Sequence, residues 1–256
     1  MAARRSPATQ FEKTKGGENL LGPPKPQPQA EDRAGPPYPQ SLMDIVDLSL
    51  TVSPGMRGVS MTIANTLKDD GWNAANWTLY SHSGTHADAP IHFEASNQTI
   101  DQMPLLNFMG KAKVIKIDHT QPKQWLVPAD LGEHAELVSA GDCLLLHTGW
   151  SLHLDDTETY RDGLPQISDE LAHWLVEKGV KLIGVEAPSV ADVNNLEEVD
   201  RIHKILLGAG ITIVEGLCNL DLLKPEVFFM ALPLKLESGD GCPVRAIAFN
   251  NDVSFT

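Results

Sequence analysis

Between residues 112 and 250 short apolar runs of strand character alternate with stretches of helical period, and this alternation restricts the chain to a layered α/β fold. AKVIKID (112–118), DCLLLHTGW (142–150) and KLIGVEAP (181–188) are β-rich runs closed by turn residues, and they read as core strands. SDELAHWLVEKGV (168–180) has the marks of a helix feeding one of them. Ser168 stands at the N-cap, Leu171, Trp174 and Leu175 share a face, and Gly179 stops the helix. The same grammar returns in VDRIHKILLGAGITIVEGL, where 199–207 predict a helix, Gly208-Ala209-Gly210 its end and 211–215 the next strand. VFFMALPLKL (227–236) and VRAIAFN (244–250) are strand-like again. The expectation is an α/β fold, a single domain with a mixed, barrel-like β-sheet and flanking helices.

Residues 1–42 carry eight of the eighteen prolines and almost no apolar clusters, which predicts a disordered proline-rich tail. Order is expected from Met43, where MDIVDLSLTV alternates polar and apolar residues like a half-buried strand before Ser53-Pro54-Gly55 ends it. The domain is therefore placed at 43–256. A net charge of −14 and no stripe of Lys and Arg argue against nucleic acid as a partner. Cys143, Cys218 and Cys242 are odd in number and far apart, so they suggest buried thiols in a reducing compartment, not disulfides. No stretch has the roughly 18 consecutive apolar residues of a membrane span. Arg4-Arg5 is not followed by the apolar segment of a twin-arginine signal. A cytoplasmic protein is expected.

The chemistry concentrates in Ser81-His82-Ser83-Gly84-Thr85-His86-Ala87-Asp88-Ala89-Pro90-Ile91-His92-Phe93. Three of nine histidines fall within eleven residues there, with an aspartate among them. Gly84 and Pro90 disfavour a helix, so the spacing is read on extended or turning backbone, where His86 and Asp88 project to one side. Gly84 lets the chain bend so that His82 joins them. Imidazole nitrogens with a carboxylate suit Zn²⁺, Mn²⁺ or Fe²⁺, and such an ion lowers the pKa of bound water towards about 7, which makes hydrolysis the natural chemistry. Thr85 is expected to organise local hydrogen bonds, and Pro90 to set the direction of His92.

HSGTHADAPIHF resembles the HxGTHxDAPxHF signature of the cyclase superfamily, which includes bacterial kynurenine formamidases and isatin hydrolases, and matches at every fixed position. HKILLGAGITIVEGLCNLDLL resembles the downstream segment in which a helix histidine and a strand-end glutamate complete a metal site; His203 and Glu215 hold those places. DLSLTV, LLLHTGW, APSVAD and ALPLKLESGDGCPVRAIA extend the similarity from about residue 43 to the end. The resemblance implies the cyclase-family fold, usually as a homodimer or homotetramer, and two divalent ions per subunit, Zn²⁺ or alternatively Mn²⁺. His82, His86 and Asp88 would hold one ion. Asp88 would bridge to a second, held by His203 and Glu215, and His92 would be the proton donor and acceptor.

Formamidases of this family carry a tryptophan in a WPGD-like turn after the first strand, and this chain has Ser53-Pro54-Gly55-Met56 instead. Trp72 and Trp77 are the candidate replacements as an aromatic substrate wall. Glu186, where the family more often has aspartate, is expected to be structural, and Arg245 is open between substrate contact and a structural ion pair. The expected activity is hydrolysis of an amide-type C–N bond in a small molecule, an arylformamide such as N-formylkynurenine or a related amide. The alternatives are an isatin-type cyclic amide or lactone ring hydrolase, and a non-catalytic metal-binding protein that kept the fold.

Overall fold

The computed structural model describes residues 44–251. The proline-rich tail and Met43 lie outside the described residues. The described residues form twelve strands: β1 (Ile45–Asp47), β2 (Val59–Asn65), β3 (Ala74–Leu79), β4 (His86–Asp88), β5 (Met109–Lys116), β6 (Trp125–Leu126), β7 (Cys143–His147), β8 (Gln166–Ile167), β9 (Leu182–Val185), β10 (Thr212–Glu215), β11 (Glu226–Pro233) and β12 (Gly241–Phe249). The α-helices are α1 (Leu67–Asp70), α2 (Thr157–Asp162), α3 (Asp169–Lys178) and α4 (Leu196–Gly208).

Seven strands form a closed ring in the order β12-β11-β5-β7-β9-β10-β4, and β4 pairs back onto β12. The steps β5-β7, β7-β9 and β9-β10 are parallel, whereas β4 is antiparallel to both of its neighbours. The expected mixed, barrel-like sheet is therefore closed, with β1 added outside β12. Closure removes most of the open edge that a sheet of this size would expose.

The parallel strands read as continuous apolar runs because both faces are covered. Leu144 and Leu146 of β7 join Ile183, Val185 and Ile213 in a layer under α3 and α4. Cys143, Leu145, Leu182 and Val214 face the other way, into a barrel interior shared with Phe229, Ala231, Ala246 and Ala248. That interior is tight: a Cβ on Gly184 would lie 2.6 Å from Leu145 and 2.7 Å from Leu217.

The helix read at 168–180 is α3, with the Ser168 hydroxyl accepting from Leu171 N at 3.0 Å and Gly179 left-handed at φ 68°. The second helix starts three residues earlier than the periodicity indicates, because Asn195 caps it by accepting from Glu198 N. The first strand is shorter than its pattern: Val46, Leu48 and Leu50 alternate inward, but the ladder with β12 runs over Ile45–Asp47, followed by a last bond from Leu48 N to Ala246 O at 2.9 Å. The β2–β3 hairpin is a further element the sequence reading did not identify. Its strands pair with one another and leave most of their side chains exposed.

Candidate metal centre

The histidine-rich stretch runs through a turn into β4 and then into a 3-10 turn at Pro90–Phe93. Gly84 adopts φ 62°, and the turn it makes is fixed through Thr85. The buried Thr85 hydroxyl donates to Gly216 O and accepts from Leu50 N at 2.8 Å, tying the stretch to the end of β10 and to the segment after β1. Thr85 is thus the organiser the sequence suggested. Pro90 occupies the first position of the 3-10 turn, where its missing N–H costs nothing.

β4 lies between β10 and β12, with His86 opposite Glu215 on one side and Asp88 opposite Gly241 on the other. This is where the parallel strands give way to antiparallel ones. α4 brings His203 to the same place. The structure puts the five residues together: His82 Nδ1 is 2.9 Å from Asp88 Oδ1, and His86 Nε2 is 3.6 Å from the same oxygen. His203 Nε2 is 3.5 Å from Asp88 Oδ2 and 3.5 Å from Glu215 Oε1. The resemblance implies Asp88 as the bridging residue; Glu215 also faces both halves of the cluster, since its Oε2 lies 3.2 Å from His86 Nε2 and its Oε1 3.5 Å from His203 Nε2.

Each ring has its second nitrogen engaged elsewhere. His86 Nδ1 faces Gly84 O at 3.0 Å, and His203 Nδ1 faces Val199 O one helical turn back at 2.7 Å. Both carbonyls accept, so the Nε2 lone pairs are left for the cluster. Ligand histidines are oriented by such contacts in metal sites generally.

A divalent cation fits these residues on an observation independent of the motif. Asp88 Oδ2 is buried and has no hydrogen-bond partner among the described residues, which is rare for a carboxylate oxygen unless a cation satisfies it. The donor set of nitrogen and carboxylate oxygen without thiolate suits a divalent metal cation.

Among themselves the five groups form a buried charge network. Burial pulls the His86 and His203 rings down, but the facing Glu215 and Asp88 carboxylates outweigh it and push them up to about 9 and about 10. Burial raises Asp88, and the facing His203, His82 and His86 rings reverse this and hold it well below the usual carboxylate range. His92 moves the other way: burial, aided by the nearby His82 and His203, lowers it despite Asp88 and Glu215.

His92 lies beside the five. Its ring stacks on His82 with centroids 3.8 Å apart and packs edge-on against Phe93 at 4.3 Å. Phe93 also packs on His203 at 4.3 Å, and Tyr80 lies 5.4 Å from His82. Trp72 and Trp77 sit on the hairpin, 59% and 48% exposed, in the segment that leads through Tyr80 to His82. Glu186 is structural in its contacts: its buried carboxylate accepts from Thr148 N, Gly149 N and the Thr148 and Ser151 hydroxyls, and so anchors the turn after β7. Arg245 makes an exposed two-pronged pair with Asp47 at 2.9 and 2.6 Å, which links β12 to β1. Asp240, to which the sequence reading gave no role, lies 3.2 Å from His82 Nε2. Only its place in the ESGDGCP segment hinted at it. A groove of about 290 Å³, lined by Lys111, Lys113, Asp142, Glu226 and Phe228, shares no residue with this cluster.

The chain is 32% identical over 213 residues to a kynurenine formamidase of Salinibacter ruber, an overlap of 80% of this chain and 97% of the relative. A kynurenine formamidase of Geobacillus thermodenitrificans is 32% identical over 203 residues, covering 78% and 92%. The solved structure of isatin hydrolase A from Ralstonia solanacearum superimposes with a TM-score of 0.74 at 26% identity, over 82% of this chain and 92% of that one. Residues 46–192 match the Cyclase family model, and with these relatives the match places the chain in the cyclase family.

Proposed function

We propose that this cyclase-family protein is a metal-dependent hydrolase of a non-peptide, amide-type C–N bond in a small molecule, an arylformamide such as N-formylkynurenine or a related amide. The observation that carries the reading is the convergence of His82, His86 and His203 on the two oxygens of Asp88, with Glu215 facing His86 and His203 and with His92 alongside. The names of the relatives, formamidases and an isatin hydrolase, support it.

His82, His86 and Asp88 would hold one divalent cation and Asp88, His203 and Glu215 a second, two Zn²⁺ per subunit or Mn²⁺ in their place. When bound, such ions acidify water and polarise a carbonyl. The protein's own part is proton movement and orientation. His92, its Nδ1 turned to Asp240 at 3.7 Å, has Nε2 to exchange a proton with the departing nitrogen. Its lowered pKa makes the neutral ring the resting form, able to accept a proton before it returns one. Tyr80 and Phe93 give the site apolar walls, and Trp72 and Trp77 are the proposed outer wall for a planar substrate.

A second reading, an isatin-type cyclic amide or lactone ring hydrolase using one manganese, draws on Ser53-Pro54-Gly55-Met56 standing where formamidases carry their tryptophan. Elemental analysis of the purified protein, with rates on formanilides, isatins and lactones, separates the two. Metal without turnover on any of them would leave a non-catalytic metal-binding protein. His86→Ala or Asp88→Ala should abolish metal loading. His92→Ala should keep the metal and lower kcat by about 10²–10⁴-fold. Equal metal loss in all three would undo the assignment of roles. Assembly as a homodimer or homotetramer is proposed as well, supported by the hairpin: a lone two-stranded ribbon is marginal in water, and this one exposes Ile63, Trp72 and Trp77.

A further inference from the structure

Asp240 sits on the loop between β11 and β12, and its backbone is held on two sides. Ala89 N donates to Asp240 O at 2.9 Å, and Ile100 N donates to the preceding Gly239 O at 2.8 Å. The next residue, Gly241, pairs with Asp88 and lies so close to His82 that a Cβ there would come within 2.6 Å of the His82 ring. The glycine therefore lets the loop run against the face of His82. The outcome is one carboxylate oxygen, Asp240 Oδ2, placed 3.2 Å from His82 Nε2 and 3.7 Å from His92 Nδ1, nitrogens of two rings that stack at 3.8 Å.

His82 differs from the other two histidines of the cluster. His86 and His203 present Nε2 and are oriented by backbone carbonyls, whereas His82 presents Nδ1 to Asp88 and turns Nε2 to a charged side chain. We infer that Asp240 is a positioning residue: it fixes His82 as an Nδ1 ligand by accepting its Nε2–H, and with the same oxygen it sets the ring orientation of His92. A carboxylate behind a ligand histidine makes the ring a stronger donor to a cation than a backbone carbonyl does. One residue thereby couples the metal position to the proton-exchanging ring. The inference rests on the proposed metal site and adds a residue outside its ligand set.

The test compares Asp240→Asn and Asp240→Ala with the wild type in the full-length protein. Asn preserves shape and one acceptor, so it keeps the comparison sound even where Ala perturbs the loop. Zn²⁺ affinity measured by competition with a chromophoric chelator should fall about 10–100-fold in Asp240→Ala, with Asp240→Asn between. The Zn²⁺ stoichiometry should stay unchanged, and kcat should fall while KM holds. In the zinc-loaded wild type, ¹⁵N imidazole spectra should show the His82 proton on Nε2. Wild-type zinc affinity and kcat in both variants, or a His82 proton on Nδ1, would overturn the inference. So would the loss of one ion per subunit, because Asp240 would then be a ligand. A wild type that binds zinc but hydrolyses no amide or lactone defeats the functional proposal alone, and the zinc affinities and the His82 signal still decide the role of Asp240. A wild type that binds no zinc defeats both.

Discussion

His86 and His203 carry their buried charge only because Asp88 and Glu215 face them, and the sign of that dependence can be measured. Their folded values, about 9 and about 10, lie above the ordinary histidine value. In protein stripped with a chelator, their contribution to stability is fully present below about pH 6.5, the unfolded value, and is lost as pH rises through the folded values. The Tm of chelator-treated protein should therefore fall between about pH 6 and about pH 10. A Tm that rises over that range would contradict the charge network. At the proposed site added Zn²⁺ would compete with protons for the same nitrogens, so zinc affinity should strengthen with pH over the same window, with protons released on loading.

At the level of elements, the site depends on two backbones meeting. Gly216, just past β10, has φ 68°, and a Cβ there would lie 2.6 Å from Gly84 O and 3.2 Å from its carbonyl carbon. Gly216→Ala should cost about 1–3 kcal/mol in backbone strain. It should also loosen the His82–Asp88 segment from Glu215, read as a lowered urea midpoint together with weakened metal loading. Ser168→Ala is the contrasting case. It removes the cap of α3, remote from the cluster in the contacts it makes, and should cost about 1 kcal/mol while metal content and turnover stay at wild-type values. If Ser168→Ala lowered metal content as much as Gly216→Ala, metal loading would be following global stability and not the approach of these two backbones.

For the whole molecule, the closed ring of seven strands makes the site a property of the fold. The three residues of β4 complete the ring between β10 and β12, so the same strand closes the barrel and carries two of the cluster's side chains. The hairpin of β2 and β3 lies outside this ring, and together with the turn that joins its strands it exposes Ile63, Leu67, Trp72, Trp77 and Leu79. Sedimentation equilibrium should give the mass of two or four chains, and a monomer at micromolar concentration would refute the proposed assembly. Among the described residues no helix is long and apolar enough to cross a membrane.

The sequence by itself determined what local chemistry controls. The caps of α3, the apolar runs of β7 and β9, the turn at Gly84, and the same-side projection of His86 and Asp88 all follow from neighbouring residues. His203 and Glu215 were legible only through a resemblance, because a helix histidine and a strand-end glutamate carry no local mark of a shared target. Tertiary structure alone decided that Glu215 faces both halves of the cluster, that Arg245 is tied to Asp47, and that Asp240 comes to rest against His82. These contacts join residues far apart in the chain, so they exist only once the ring has closed. Closure depends on β4 pairing with two strands that lie more than a hundred residues further along.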